Sequence, residues 1–146
     1  MPIVAQNRAD YVISTDKTRL DIPFIHKYLS ERSYWAHGRL LEVTQRSIEN
    51  SLCFGVFQGE QQIGFARVVT DYATFAWLCD VFMLETTRGQ GFGKWLIATV
   101  TEHEDLQNIK NFILATSDAH ELYRRYGGFE VFPKLDKWMY RPRKMT

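Results

Sequence analysis

The fold prediction rests on one segment of the chain, Asp80-Val81-Phe82-Met83-Leu84-Glu85-Thr86-Thr87-Arg88-Gly89-Gln90-Gly91-Phe92-Gly93-Lys94-Trp95-Leu96. It begins inside an apolar run, residues 75–84, which predicts a buried strand. It ends where Trp95, Leu96 and Val100 stand at helical spacing, which predicts an amphipathic helix. Three glycines at alternate positions, 89, 91 and 93, separate the two elements. The stretch therefore predicts a strand, a sharp glycine turn and a helix.

The glycine turn is suited to binding an anion. Glycine adopts positive φ easily and lets another group approach the backbone closely. The free N–H groups of the first helical turn lie at the positive end of the helix dipole, where phosphate binds well. Arg88 and Lys94 would add full positive charges. The alternative is a helix entry that needs glycine only to turn. Neither common nucleotide loop, G-x-x-x-x-G-K-S/T or G-x-G-x-x-G, fits the spacing.

Two segments carry a resemblance to a known family. Residues 88–93, Arg-Gly-Gln-Gly-Phe-Gly, match the pattern Q/R-x-x-G-x-G/A. Residues 119–129 match A-x-x-L-Y-E/R-K/R-x-G-F, with one extra residue before Phe129. In this order and about thirty residues apart, they resemble the GNAT superfamily of acyl-CoA-dependent N-acyltransferases. The resemblance covers roughly Ser51 to Arg141, and the first fifty residues match only in the order of predicted elements.

The resemblance implies a mixed α/β (α+β) fold with a twisted, mostly antiparallel sheet flanked by helices. In this family the central strand and the strand that follows it splay apart, and the pantetheine arm of the cofactor enters the gap. The implied reaction is acetyl transfer from acetyl-CoA to a primary amine, by direct attack in a ternary complex.

The resemblance also implies which residues hold the cofactor. Backbone N–H groups of 90–94, with Arg88, would bind the diphosphate. Main-chain groups of 82–84 would pair with the pantetheine amides as an added strand does, and one of their N–H groups would stabilise the oxyanion. The predicted cofactor-binding residues are Phe82, Met83, Leu84, Arg88, Gly89, Gln90, Gly91, Phe92, Gly93 and Lys94.

Tyr123 falls on the tyrosine of the second pattern. The resemblance implies that its phenol lies near the cofactor sulfur and acts as a general acid. The alternative is a core tyrosine with a satisfied hydroxyl, and Tyr126 is a competing phenol.

Asp80 is a carboxylate inside an apolar strand, where an aspartate is costly unless it is paired. It could bind the ammonium of the acceptor, deprotonate it through water, pair with Arg67 or cap a backbone group. Several relatives carry an acidic or histidine residue one to three places earlier, where this chain has Trp77, Leu78 and Cys79. Thr116 stands where the family commonly has asparagine. No direct general base is evident, so a water chain or Asp80 would have to take the proton from the acceptor amine.

The loop at residues 34–39 lies where the family places acceptor-specificity residues. The predicted substrate-binding residues are Tyr34, Trp35, His37 and Arg67, and the alternative is an aromatic packing loop. A small-molecule amine is the expected acceptor. The alternatives are a protein N-acetyltransferase and a non-catalytic domain that senses acyl-CoA.

Length and composition bound the class of protein. The 146 residues predict a single domain, residues 1–146, with an apolar content of 45% that favours a packed core. A net charge of +1 gives no reason to expect nucleic acid as a partner. The apolar runs are too short for a membrane span, and the N-terminus lacks a secretion signal. We expect a cytoplasmic monomer or homodimer.

Cysteine and histidine usage gives no sign of a metal or an acyl-enzyme. Cys53 and Cys79 lie in apolar runs and are predicted to be buried free thiols in a reducing compartment. Neither has the positively charged neighbour that would favour a thiolate nucleophile. The four histidines, His26, His37, His103 and His120, show no ligand spacing with the cysteines, so no metal is expected.

The remaining elements follow from periodicity and capping residues. Residues 1–9 are predicted to be a loose lead-in. Asp21 and Asp118 are predicted to cap helices. The predicted strands are 11–14, 52–57, 62–70, 75–84, 111–116 (parallel to the central strand), 129–132 and 138–141, the last two as a hairpin. The predicted helices run from Asp21 to about Leu29, 40–50, Gly91 to about Glu104, and 118–126.

Overall fold

The structure is a computed structural model that describes residues 4–143. Its strands are β1 (Ala5–Arg8), β2 (Tyr11–Ser14), β3 (Leu52–Gln58), β4 (Gln61–Thr70), β5 (Phe75–Met83) and β6 (Asn111–Leu114). Its helices are α1 (Ile22–Arg32), α2 (Leu41–Glu49), α3 (Phe92–Thr101) and α4 (His120–Gly127). The strands form one sheet in the order β1-β2-β3-β4-β5-β6. All neighbouring pairs are antiparallel except β5 and β6, which are parallel.

The sheet is covered on both faces, which explains the nearly continuous apolar sequence of its central strands. On one face, Leu96 and Val100 of α3 pack with Phe54 and Leu78. On the other face, Ile25 and Leu29 of α1 pack in a second cluster that includes Phe65 and Phe82. The predicted meander of three strands and the mixed, mostly antiparallel sheet are confirmed.

Helix α1 begins as predicted, with the Asp21 carboxylate accepting the N–H of Phe24 at 3.1 Å. Helix α4 begins differently, because its N-cap is Ala119 and no side chain caps it. Instead, the Thr116 hydroxyl accepts the N–H groups of Asp118 and Ala119 at 3.4 and 3.1 Å. The prediction that Asp118 caps this helix is therefore wrong, and its carboxylate is left for other contacts.

The prediction of a loose lead-in over residues 1–9 is wrong for residues 5–8. Ala5–Arg8 is a strand that pairs with β2, in register from Ala5 opposite Ser14 to Arg8 opposite Tyr11. Its side chains are mostly exposed, so no apolar alternation marks it. Main-chain hydrogen bonds to β2 hold this strand, and the side-chain pattern does not report them. Residues 1–3 of the predicted lead-in lie outside the described part of the chain.

The predicted C-terminal hairpin is wrong. Neither 129–132 nor 138–141 is a strand, and only a short 3₁₀ turn, Leu135–Lys137, interrupts the irregular segment. The rings of Phe132 and Trp138 contact each other with centroids 5.0 Å apart. Aromatic residues produced a strand-like pattern here, but strand pairing needs a register that the local pattern does not specify. No helix within residues 4–143 is both long and apolar enough to cross a membrane.

Candidate active site

Strand β5 contains a bulge at Asp80. Phe65 of β4 pairs with Phe82, but Arg67 pairs with Cys79, so β5 carries one extra residue between these pairs. Asp80 takes this place with a φ of 52°, a left-handed conformation that aspartate tolerates better than most residues. A bulge bends its strand and re-aims side chains, and bulges are common beside active sites.

The bulge lies where β5 and β6 separate. Their parallel pairing runs from Phe75 opposite Asn111 only as far as Leu78 opposite Leu114, while β5 continues to Met83. A cleft of about 380 Å³ opens there, lined by residues 34–35, 77–81, 115–119 and Tyr123. We call it the β5–β6 cleft. The splay of the central and following strands is thus present, as the family resemblance implied.

The glycine turn that follows β5 presents a row of unpaired amides. Within residues 4–143, no acceptor is found for the N–H groups of 89–94, and the first paired amide is that of Trp95, 3.1 Å from the Gly91 oxygen. Gly89 and Gly91 have φ values of 83° and 84°. A Cβ at residue 89, 91 or 93 would meet no atom within 4 Å. These amides therefore lie without acceptors at the positive end of α3, next to glycines that leave room around the backbone.

Two cations flank this turn. Arg88 and Lys94 are both exposed, and the Lys94 ammonium lies 5.0 Å from the ring centroid of Tyr126. Backbone amides without acceptors, with a positive side chain on either side, are the groups that an anion such as phosphate requires.

The main chain of β5 differs from the prediction at Leu84. The Leu84 N–H donates to the Ile63 oxygen at 2.9 Å, and its carbonyl accepts the N–H and hydroxyl of Thr87 at 2.9 and 2.6 Å. Neither group is free for a pantetheine amide. Because main-chain groups alternate along a strand, those of Phe82 also face β4, whereas those of Met83 face away from β4, and the Met83 carbonyl accepts the Tyr28 hydroxyl at 3.5 Å. The structure thus favours Met83 alone of the three predicted pairing residues.

Tyr123 reaches the cleft from α4. Burial raises the pKa of its phenol to about 12, and negative charge on Tyr34, Asp118 and Cys79 would add to the shift. The phenol is therefore protonated throughout the neutral pH range. The competing phenol, Tyr126, contacts Lys94 instead and does not line the cleft.

Asp80 is the centre of a buried ionic network. Its Oδ2 accepts Arg39 Nη1 at 2.7 Å and Arg67 Nε at 2.9 Å, and its Oδ1 accepts the indole N–H of Trp35 at 2.9 Å. Burial alone would raise the pKa of this carboxyl, but the hydrogen bond from Arg39 and the charge of Arg67 outweigh it, and the pKa is lowered. Of the roles considered for Asp80, pairing with Arg67 is the one that the geometry realises.

The loop at 34–39 contributes unequally to the site. The hydroxyl of Tyr34 accepts the N–H of Ser117 at 3.0 Å, a hydrogen bond that lowers the pKa of Tyr34. Tyr34 and Trp35 line the cleft, whereas His37 is exposed and does not. Arg67 lies behind Asp80 and also donates to the Ser51 hydroxyl at 3.1 Å.

Sequence reasoning missed three site residues, Arg39, Trp77 and Asp118. Arg39 joins the ionic network, and the other two line the cleft. The position of Trp77 could have been found from the sequence. It stands two places before Cys79, so the two side chains share a face of the strand, and both line the cleft. Within the described residues, no group of three His, Cys, Asp or Glu side chains could hold a metal ion.

Comparison with known proteins agrees with this architecture. The acetyltransferase (GNAT) domain family matches residues 49–130, more than half of the chain. The crystal structure of a Xanthomonas campestris protein assigned to the GNAT family is 48% identical, with a TM-score of 0.87 over 91% of this chain and 93% of that one. The chain therefore belongs to the GNAT acetyltransferase family.

More distant matches are assigned as acetyltransferases or share the fold. The Gibberella zeae protein FG08082, assigned as an acetyltransferase, is 26% identical over 88% of this chain and 84% of its own length. A Clostridium acetobutylicum protein, also assigned as an acetyltransferase and crystallised with acetyl-CoA, has the same fold, with a TM-score of 0.60 at 15% identity over 90% of this chain and 94% of that one.

Proposed function

We propose that this chain transfers the acetyl group of acetyl-CoA to a primary amine of a small molecule, by direct attack in a ternary complex. The observation that carries the proposal is the row of unpaired amides at 89–94, which follows directly on the strand that borders the β5–β6 cleft. A diphosphate bound by those amides would lie at one end of β5, and the cleft lies at the bulge of the same strand.

The residues present fit the cofactor. The turn is open at all three glycines, so a diphosphate oxygen can approach the backbone without meeting a side chain. Arg88 and Lys94 would neutralise the charge of the diphosphate, and the main-chain carbonyl of Met83 would accept a hydrogen bond from the pantetheine arm. Bound acetyl-CoA would supply the thioester carbonyl that the amine attacks and the thiol that leaves.

The side chains of the cleft have separate roles in this reaction. The main chain of Met83 would donate to the oxygen of the thioester carbonyl as negative charge develops there. The Tyr123 phenol, protonated at neutral pH, would give its proton to the departing sulfur. Because both oxygens of Asp80 already accept hydrogen bonds, the proton of the acceptor would leave through water.

The size of the cleft favours a small acceptor. Its volume of about 380 Å³ falls at the lower end of the range typical of small-molecule sites, roughly 300–1,000 Å³.

The direct test measures binding and turnover separately. Acetyl-CoA is expected to raise the melting temperature of the protein, and free thiol is expected to appear when a primary amine is added. If acetyl-CoA leaves the melting temperature unchanged at millimolar concentration, the proposal is wrong.

Tyr123→Phe is expected to lower kcat by about 100-fold, within the usual contribution of a general acid. The affinity for acetyl-CoA should stay the same, because the phenol would act on the sulfur and not on the diphosphate. Steady-state thiol release and a thermal titration measure the two quantities. Tyr126→Phe is the matched control and should retain kcat, and equal rates in both variants would remove Tyr123 from the mechanism.

The pH dependence should reflect the acceptor and not the phenol. Because the pKa of Tyr123 is raised to about 12, its acidic form persists as the pH rises, while more of the amine becomes neutral and able to attack. We expect kcat/KM to rise from pH 7 to pH 9 without a descending limb. A descending limb centred below pH 9 would contradict the assignment of Tyr123.

A second candidate function is a non-catalytic acyl-CoA sensor. The observation in its favour is that the buried carboxylate nearest the cleft is committed to two arginines, which leaves no direct base on β5. Stabilisation by acetyl-CoA without thiol release from any amine would favour the sensor over the enzyme.

A further inference from the structure

Three exposed aromatic side chains line the β5–β6 cleft. Tyr34, Trp35 and Trp77 are 59%, 41% and 40% exposed, and all three line the cleft. The rings of Tyr34 and Trp35 meet edge to face with centroids 5.0 Å apart. Large aromatic groups left in contact with water around a concave site mark a ligand surface.

Two of these rings are held in place. The indole of Trp35 donates to the buried Asp80 at 2.9 Å, and the hydroxyl of Tyr34 accepts the N–H of Ser117 at 3.0 Å. Trp77 stands on β5, at a position paired with Ile113 of β6. Because these aromatic side chains are already held in place, they lose little conformational entropy when a ligand ring packs against them.

The cleft also contains a carboxylate that has no partner among residues 4–143. Asp118 lines the cleft and is exposed. Within the described residues its carboxylate makes no hydrogen bond or ion pair, whereas Asp80 is held by Arg39 and Arg67. The negative charge of Asp118 acts to raise the pKa of the Tyr34 and Tyr123 hydroxyls. Asp118 is therefore available to attract a cation entering beside the aromatic rings.

We propose that the acceptor is a primary amine carrying an aromatic ring, with the ring packed against Tyr34, Trp35 and Trp77 and the ammonium attracted by Asp118. This inference rests on the proposed acetyl transfer. The ammonium loses one proton to water and becomes nucleophilic. The nitrogen–carbon bond then forms and the carbon–sulfur bond breaks. Tyr123 protonates the sulfur and regains a proton from the nitrogen through water, so one proton is released per turnover.

An amine panel tests the acceptor class. With saturating acetyl-CoA, kcat/KM for 2-phenylethylamine should exceed that for ethanolamine by at least about tenfold, the effect expected of one aromatic contact with its burial. Trp77→Ala should reduce that ratio by about tenfold. Trp138→Ala, which removes an exposed tryptophan outside the cleft, should leave the ratio unchanged.

Asp118→Asn tests the position of the ammonium. It should raise KM for 2-phenylethylamine by about tenfold with little change in kcat, because the carboxylate acts on binding and not on the chemical step. Asp136→Asn, at an exposed position outside the cleft, is the control and should leave KM unchanged.

Binding can also be followed without turnover. 2-Phenylethylamine, added in the presence of CoA, should quench tryptophan fluorescence saturably, and Trp77→Ala should weaken this binding. Equal kcat/KM for all amines would overturn the aromatic inference while leaving the acetyl transfer intact. Saturable quenching without thiol release would overturn the acetyl transfer and leave an aromatic amine site. If neither quenching nor thiol release is observed, both the acetyl transfer and the aromatic amine site are overturned.

Discussion

Gly91→Asp is expected to lower the affinity for acetyl-CoA by at least about 100-fold, which corresponds to roughly 2.7 kcal/mol. The backbone of Gly91 has a φ of 84°, and a Cβ added there would meet no atom within 4 Å. A carboxylate at that place would lie beside the diphosphate. Two like charges about 4 Å apart repel by roughly 4 kcal/mol at the effective dielectric constant of a protein surface. Calorimetric titration with acetyl-CoA measures the loss.

Gly91→Asn separates charge from bulk. Asparagine has nearly the same shape as aspartate and also tolerates the left-handed conformation, so both variants carry similar backbone strain. We expect Gly91→Asn to lose clearly less affinity than Gly91→Asp, with similar melting temperatures for the two variants without ligand. If both variants bind acetyl-CoA as tightly as the parent chain, the diphosphate does not lie at these amides.

Asp80→Asn is expected to destabilise the fold by about 3–5 kcal/mol, the usual cost of removing one partner from a buried ion pair. The Asp80 side chain is 1% exposed and Arg67 is 9% exposed, so the amide would leave the guanidinium of Arg67 buried without a compensating charge. Arg39 and Trp35 would also lose an anionic acceptor. Chemical denaturation measures the free energy of unfolding, and for a domain of this size the melting temperature should fall by roughly 10–15 °C.

Glu85→Gln is the matched control for this prediction. Its ion pair with Arg32 is of similar length, 3.0 Å, but the two side chains are 46% and 55% exposed. Exposed ion pairs contribute less than about 1 kcal/mol, so this variant should be nearly as stable as the parent. Equal destabilisation in the two variants would mean that burial does not govern the Asp80 network.

The contribution of Asp80 to the free energy of unfolding should also depend on pH. The pKa of its carboxyl is lowered below the ordinary value of 3.8 in the folded state, so the unfolded chain binds a proton more readily. The stabilisation is therefore complete above about pH 5 and is lost as the pH falls through the folded pKa. The difference in unfolding free energy between the parent and Asp80→Asn should shrink below pH 4.

Much of the site was predictable because it depends on local sequence. A turn between a strand and a helix sets the conformations of Gly89 and Gly91 and leaves the amides of this segment unpaired. Both the strand and the helix can be predicted from the spacing of their apolar side chains. Tyr123 was predictable from a short pattern on one helix. Asp80 was recognisable as an anomaly, since a carboxylate in an apolar strand needs a partner, but Arg67 was only one candidate.

Other features depended on contacts between distant segments. Arg39 joins Asp80 across forty-one positions of the chain, and Tyr34 accepts the Ser117 N–H across eighty-three. Asp118 fits the composition of a helix cap, yet Thr116 takes that role in the structure. The aromatic pattern after Phe129 resembles that of a hairpin, although no strand in the described part of the chain pairs with it.

The order of the central elements and the glycine turn with its unpaired amides follow from the sequence alone, because φ preference, capping and side-chain periodicity act within a few residues. The set of side chains that share the cleft depends on tertiary contacts: among the described residues, Asp80 is paired with two arginines, Asp118 has no partner, and three aromatic rings line the cleft. These depend on where β5 and β6 separate and on how the loop at 34–39 packs across them, which are long-range contacts that no local spacing encodes.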